Sequence, residues 1–195
     1  MKTRCLYATV FVLTMSIGAF GNASELPQTS IYHLDVRLTD QHGTTHSLDT
    51  YRGHPIIISM FYATCPNVCP VLISTIQRME RKLPADELAK LRVILVSVDP
   101  ENDTPEILGQ VAARHRIDLD RWKLARAIPQ DVRKIAAVLG VKYRKLPDGG
   151  FSHTSVLTLI DTEGVVRAHS AKIPGIDDSF FQAISGIMMP ASDQK

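Results

Sequence analysis

From Ile56 to Pro70 the chain reads Ile-Ile-Ile-Ser-Met-Phe-Tyr-Ala-Thr-Cys-Pro-Asn-Val-Cys-Pro, and no other stretch restricts the fold as strongly. Apart from Ser59, Ile56 to Phe61 has no polar alternation, which marks a strand covered on both faces. Such a strand needs helices on both sides of its sheet, so the chain is expected to be α/β. Beyond the strand lie Cys65 and Cys69, and then Leu72, Ile73, Ile76, Met79 and Leu83 at helical spacing, predicting a helix over 71 to about 83 that Pro84 stops. The two cysteines therefore belong to a strand-to-helix turn.

The rest of the chain repeats this alternation of apolar strands and amphipathic helices. His33 to Leu38 and Thr44 to Leu48, joined across Asp40-Gln41-His42-Gly43, predict a hairpin ahead of the main sheet. Arg92 to Val98 predicts a second buried strand, and Thr104-Pro105-Glu106 starts a helix reaching about His115. Trp122 to Ala125 predicts a short strand, and Gln130 to Leu139 a helix closed by Gly140. Ser155 to Ile160 and Val165 to His169 predict a hairpin turning at Asp161-Thr162-Glu163-Gly164, and Asp177 to about Met188 a final helix. No repeat or interdomain linker interrupts the pattern.

The N-terminus carries Lys2 and Arg4, an apolar run from Leu6 to Phe20, and Gly21-Asn22-Ala23, the three parts of a secretory signal. The run is shorter than the roughly 20 residues needed to cross a bilayer. Residues 1–23 are thus expected to be a signal peptide removed with Cys5, leaving no stable membrane span, and 24–195 a single exported domain, periplasmic if the source is a Gram-negative bacterium. Without Lys2 and Arg4, 20 basic residues face 20 acidic ones, and this balance gives no sign of nucleic-acid binding. Two cysteines in an exported domain of this length do not make a disulfide scaffold.

Chemistry is what remains for Cys65 and Cys69. Free amides at a helix N-terminus favour thiolate, the form that attacks disulfides and binds metals. Pro66 and Pro70 restrict the backbone between the sulfurs. A structural disulfide is the alternative, yet a bridge enclosing so short a loop adds little stability. Among the histidines, His153 in Phe151-Ser152-His153-Thr154-Ser155 is expected at the near end of the strand from Ser155. Two thiolates and an imidazole form a soft site that suits Cu(I), while imidazole also accommodates Cu(II); zinc shares the same donors.

Three segments in order, Thr64-Cys65-Pro66-Asn67-Val68-Cys69-Pro70, Ser97-Val98-Asp99-Pro100-Glu101-Asn102-Asp103-Thr104-Pro105, and His153 ahead of Val156-Leu157-Thr158-Leu159-Ile160-Asp161, resemble the Sco/SenC family from about residue 33 to 175. The resemblance implies a thioredoxin-like fold with a central mixed sheet flanked by helices and an added N-terminal β-hairpin. It also implies copper as the bound metal, with Cys65, Cys69 and His153 as its ligands. The implied role is a metallochaperone for the binuclear copper centre of cytochrome c oxidase, its partner a copper-accepting oxidase subunit or another copper chaperone. The alternative within the same resemblance is a thiol-disulfide oxidoreductase in which Cys65 and Cys69 are catalytic and reduce an assembly partner. The chain departs from the family at Asn67, where many members carry aspartate, and at Lys123-Leu124-Ala125-Arg126 after Trp122, where a loop near the site is expected to differ.

Peroxidase chemistry is disfavoured, because a Thr-x-x-Cys arrangement is absent: Tyr62 stands three before Cys65, and Pro66 three before Cys69. Asp99 reads as a turn residue before proline and stays outside the ligand set. The other histidines lack ligand spacing, Met188 and Met189 read as core filler, and Trp122 as a packing residue.

Overall fold

The structure is a computed structural model and describes residues 25–65 and 68–188. The expected signal peptide, Asn67 and Met189 lie outside the described residues. Strands β1 (Arg37–Asp40) and β2 (Thr45–Ser47) form the early hairpin; β3 (Ile56–Phe61), helix α1 (Val68–Glu80), helix α2 (Ala85–Lys90) and β4 (Arg92–Ser97) follow. Next come α3 (Pro105–Arg114), β5 (Trp122–Arg126) and α4 (Pro129–Val138), then β6 (Tyr143–Lys145), β7 (Phe151–His153), β8 (Leu157–Ile160), β9 (Val166–Ser170) and α5 (Asp178–Met188). No helix among the described residues is long and apolar enough to cross a membrane.

Seven strands form one mixed sheet in the order β2-β1-β5-β4-β3-β8-β9. The strands β3, β4 and β5 are parallel, with β8 antiparallel to β3 and β1 antiparallel to β5. Every side chain of β3 is buried, as its apolar run requires. The early hairpin is no separate appendage, since β1 extends the sheet along β5. At the far end of α1, one oxygen of the buried Glu80 accepts from Arg121 at 2.6 Å and from the Trp122 indole at 2.8 Å. Paired in this way, a buried carboxylate and a buried indole fasten α1 to the start of β5.

Most expected elements are present with shifted ends. Thr104 caps α3 through Ile107 N, and Gly140 closes α4 at φ 67°. The first strand starts later than expected because Ile31–His33 forms a 3-10 turn. Helix α1 ends at Glu80, earlier than the expected stop at Pro84, and Pro84 instead precedes α2, whose first turn carries Asp86 and Glu87 and whose last carries Lys90, the charge order a helix dipole favours. The strand expected over Trp122 to Ala125 is present as β5, one residue longer, and Lys123–Arg126, where the chain departs from the family, is held within it between β4 and β1. The hairpin of β6 and β7 has no counterpart in the sequence reading, and β8 starts at Leu157, later than the expected Ser155.

Gly164, in the turn between β8 and β9, has φ 85°, and a Cβ there would lie 2.4 Å from Ser30 Oγ and 2.6 Å from the Tyr32 ring. Gly164→Ala is expected to cost about 2–4 kcal/mol from combined backbone strain and overpacking, measured as a lowered urea midpoint with unchanged slope.

Candidate metal centre

The carboxyl ends of β3 and β4 open into a cleft of about 680 Å³ bordered by Tyr62, Cys65, Asp99, Asn102 and His153. The parallel pairing explains this position, because β3 and β4 run in register from Ile56↔Arg92 to Phe61↔Ser97 and both chains leave the sheet at the same end. Cys65 sits in the turn after β3 and is partly exposed. Cys69 is the second residue of α1 and only 3% exposed, and its amide donates to Cys65 Sγ at 3.4 Å. Neither cysteine is in a disulfide, and their side chains are within hydrogen-bond contact of each other.

Burial, reinforced by the Cys65 sulfur, pushes the Cys69 thiol well above its ordinary range. This corrects the expectation that the helix N-terminus makes both cysteines readily ionised. Removing Cys69 Sγ from water outweighs the field of the helix end, because desolvation penalises the thiolate directly.

His153 reaches the cleft by an unexpected route. It ends β7 in the two-stranded hairpin, opposite Tyr143, and is not part of the strand that leads into the main sheet. Thr154 anchors the hairpin base: its amide donates to Lys142 O at 2.9 Å and its hydroxyl accepts from Lys142 N at 2.9 Å. Burial lowers the proton affinity of His153, which keeps the imidazole neutral and able to coordinate at neutral pH.

Tyr62 is the residue that sequence reasoning missed. Its ring meets His153 edge-on at 5.9 Å between centroids and Phe151 at 5.6 Å, while its hydroxyl is in hydrogen-bond contact with Cys65. Burial and the neighbouring cysteines raise its proton affinity, so it stays a neutral phenol. The signal was its position immediately after the buried strand, on the side where the chain turns. Asp103 was quoted only as part of a motif, yet it is 1% exposed and accepts from Ala63 N at 3.1 Å and from the Ser97 hydroxyl at 2.5 Å. It ties the cysteine turn to the end of β4. Asp99 borders the cleft with both carboxylate oxygens engaged by Asn102 Nδ2, at 3.0 and 2.8 Å.

Cys65, Cys69 and His153 thus converge on one end of the sheet, but among the described residues no three His, Cys, Asp or Glu side chains are gathered tightly enough to hold a metal ion. The same holds at the opposite end, where His42, His46 and His54 border another cleft and His46 Nε2 is engaged with the Tyr51 hydroxyl at 2.7 Å.

The SCO1/SenC family model matches residues 25–184. The chain belongs to the SCO1/SenC family. It is 28% identical over 130 residues to the SCO1 protein homolog of Bacillus subtilis, covering 65% of this chain and 67% of that one. A SCO2-like protein of Rickettsia prowazekii is 34% identical over 73 residues, which is 37% of this chain and 35% of the relative. The chain therefore matches these curated SCO relatives over two thirds of their length or less. Among solved structures, Bradyrhizobium japonicum ScoI with copper bound aligns at TM-score 0.60 and 26% identity, covering 78% of this chain and 94% of that one. BsSco, a member of the Sco family of cytochrome c oxidase assembly proteins, shares the fold at TM-score 0.69 and 22% identity, with 85% of this chain and 98% of that one covered. These neighbours bear out the thioredoxin-like architecture with its central mixed sheet.

The SCO fold gives its two thiols unequal access. In the reduced protein at neutral pH, iodoacetamide is expected to label Cys65 at least about tenfold faster than Cys69, read by peptide mass spectrometry, because Cys69 is both buried and held as thiol. His153 sets a pH dependence of stability. Its folded proton affinity is depressed, so as pH falls through the unfolded value of about 6.5 the unfolded chain takes up the proton first and stability is lost. His153→Gln should flatten that loss between about pH 6.5 and 5 in denaturant titrations.

Proposed function

We propose that this protein is a copper-binding assembly factor that presents copper, through Cys65, Cys69 and His153, to a protein acceptor in cytochrome c oxidase maturation. The acceptor is an oxidase subunit or another copper chaperone, and the work is done outside the cytoplasm, in the periplasm of a Gram-negative source. The observation that carries this reading is a partly exposed thiol and a neutral imidazole bordering one open cleft, with a buried thiol in contact with the first. Two sulfurs and one imidazole match the preference of Cu(I) for few, soft ligands, and the imidazole extends the site to Cu(II). Membership of the SCO1/SenC family and the copper-bound ScoI neighbour support the same metal.

Copper is the cargo, and the chain supplies its holding and release. Both cysteines bind as thiolates, so loading releases protons and becomes easier as pH rises. Cys65 is the more accessible sulfur and the one an acceptor thiolate reaches first. The hairpin of β6 and β7 carries His153 and is separate from the main sheet, which lets the imidazole approach the sulfurs while the sheet stays fixed.

Contact between the two cysteine side chains also supports a second reading, reduction of an acceptor disulfide. One thiolate would attack the acceptor disulfide, the other would resolve the mixed disulfide, and the acceptor would leave with two thiols while Cys65 and Cys69 leave as a disulfide.

Anaerobic titration of the reduced protein with Cu(I) and Cu(II), followed by absorption and X-ray absorption spectroscopy, tests both. Wild type is expected to retain one copper per chain with sulfur and nitrogen donors. The Cys65→Ser, Cys69→Ser double variant should retain none after desalting, whereas His153→Ala should keep Cu(I) and lose Cu(II). Stoichiometric copper in the double variant sinks the ligand assignment; absence of copper in wild type with reduction of an acceptor disulfide leaves the oxidoreductase.

A further inference from the structure

The hairpin of β6 and β7 carries His153 to the thiol cleft, yet its pairing alone does not fix where it sits. Its strands pair with each other at Tyr143↔His153, Arg144↔Ser152 and Lys145↔Phe151, and neither joins the main sheet. A two-stranded hairpin is marginally stable by itself in water, so its place has to come from packing. Tyr143, Lys145 and Phe151 share the lining of a groove of about 220 Å³ with Val98, Pro129 and Val132, which leaves contact with α4 and the end of β4 incomplete. Toward the thiol cleft the hairpin meets Tyr62.

Tyr62 is buried, and the main chain around it is held on both sides. Phe61 O accepts from Val98 N at 2.8 Å, Tyr62 O accepts from Cys65 N at 3.3 Å, and Ala63 N donates to the Asp103 carboxyl group at 3.1 Å. From this fixed base the side chain reaches across to the hairpin. Its ring lies 5.6 Å from that of Phe151 and meets His153 edge-on at 5.9 Å between centroids, separations at which aromatic rings attract. Its hydroxyl donates to Phe151 O at 3.4 Å. A Cβ on Gly150 would lie 3.7 Å from the same oxygen, so the backbone of the second strand runs against the phenol. The hydroxyl is also in contact with Cys65, so one side chain touches the thiol turn and the hairpin together. The bond to Phe151 O is long and therefore weak, and the rings carry most of the attachment.

We infer that Tyr62 is a positioning residue for the imidazole: it fixes the hairpin of β6 and β7, and with it His153, beside the thiol turn. The place of the hairpin is independent of any metal, whereas the effect on copper rests on the site proposed above. A donor already held near the sulfurs has less freedom to lose on binding than one on a loose hairpin. Two sulfurs hold Cu(I) without that help, while Cu(II) depends on the imidazole. Tyr62 thus sets the preference of the site between the two oxidation states without itself bonding the metal.

Amide hydrogen exchange of the reduced, metal-free protein, followed by NMR, tests the position of the hairpin. Tyr62→Leu removes the ring contacts and the hydroxyl, and should speed exchange in β6 and β7 at least about tenfold relative to β3 and β4. Tyr62→Phe keeps the ring, and should speed it about threefold. Titration with Cu(I) and Cu(II) tests the consequence. Tyr62→Leu should bind Cu(II) at least about tenfold more weakly and Tyr62→Phe about threefold more weakly, with Cu(I) affinity unchanged in both. Unchanged exchange in the hairpin, or exchange accelerated equally in the hairpin and in β3 and β4, makes Tyr62 a packing residue and overturns the proposal. Equal loss of both copper ions overturns the oxidation-state preference. If wild type binds no copper, the copper reading fails by itself, and hairpin exchange still decides what Tyr62 does. If Tyr62→Leu does not fold, Tyr62→Phe decides by the same selective acceleration.

Discussion

Burial of β3 on both faces is the constraint on which the site depends, because six paired positions with β4 and three with β8 leave that strand no freedom to slide. A slip of one residue would turn its side chains over and break both sets of pairs. With β3 held, the point at which the chain leaves the sheet is held too, and Cys65 follows four residues after its last residue, Phe61. The adjoining strand ends level with it, so Asp99 and Asn102 come to the same rim. A cleft at the carboxyl ends of parallel strands is thus a consequence of how the sheet is wound.

Asp103 turns this positional constraint into a rigid one. Its carboxyl group bonds the amide of Ala63 and the hydroxyl of Ser97, joining the turn after β3 to the end of β4. Burial raises its proton affinity in spite of these two donors. A carboxyl whose folded proton affinity is raised contributes most below the unfolded value of about 3.9 and loses that contribution as pH rises through the folded one. At neutral pH, Asp103 therefore opposes stability while defining geometry. Its presence is better explained by the placing of the cysteine turn than by the strength of the fold.

What the sequence disclosed follows the length and character of its patterns. The unbroken run of β3 and the helical spacing after it located the thiol turn, and Gly140 announced the left-handed end of α4. The hairpin of β6 and β7 was illegible because Tyr143–Lys145 and Phe151–His153 are three residues each, too short for alternation to stand out. That omission left His153 simply ahead of the strand now seen as β8, without the hairpin that carries it. Tyr62 escaped notice because an aromatic residue beside a core strand reads as packing, and only the fold brings it between the imidazole and Cys65. The altered ionisation of Cys69 was illegible for another reason: helix position can be read from sequence, whereas removal of one sulfur from water depends on what the whole chain packs over it.

That burial bears on how the site distinguishes its occupants. A bare thiolate at Cys69 would place an uncompensated charge where water does not reach, so the empty site favours the proton. Under the copper reading, a soft monovalent ion compensates the same charge while also bonding Cys65, which a proton cannot do for two sulfurs at once. The hairpin side contributes the rings of Tyr62, Phe151 and Tyr143 and a neutral imidazole, and Asp99 and Asp148 border the same cleft. Discrimination therefore arises from the cost of exposing a buried sulfur's charge, which is met by the partner that bonds sulfur best, and the unequal access of the two thiols gives an acceptor one sulfur to displace before the other.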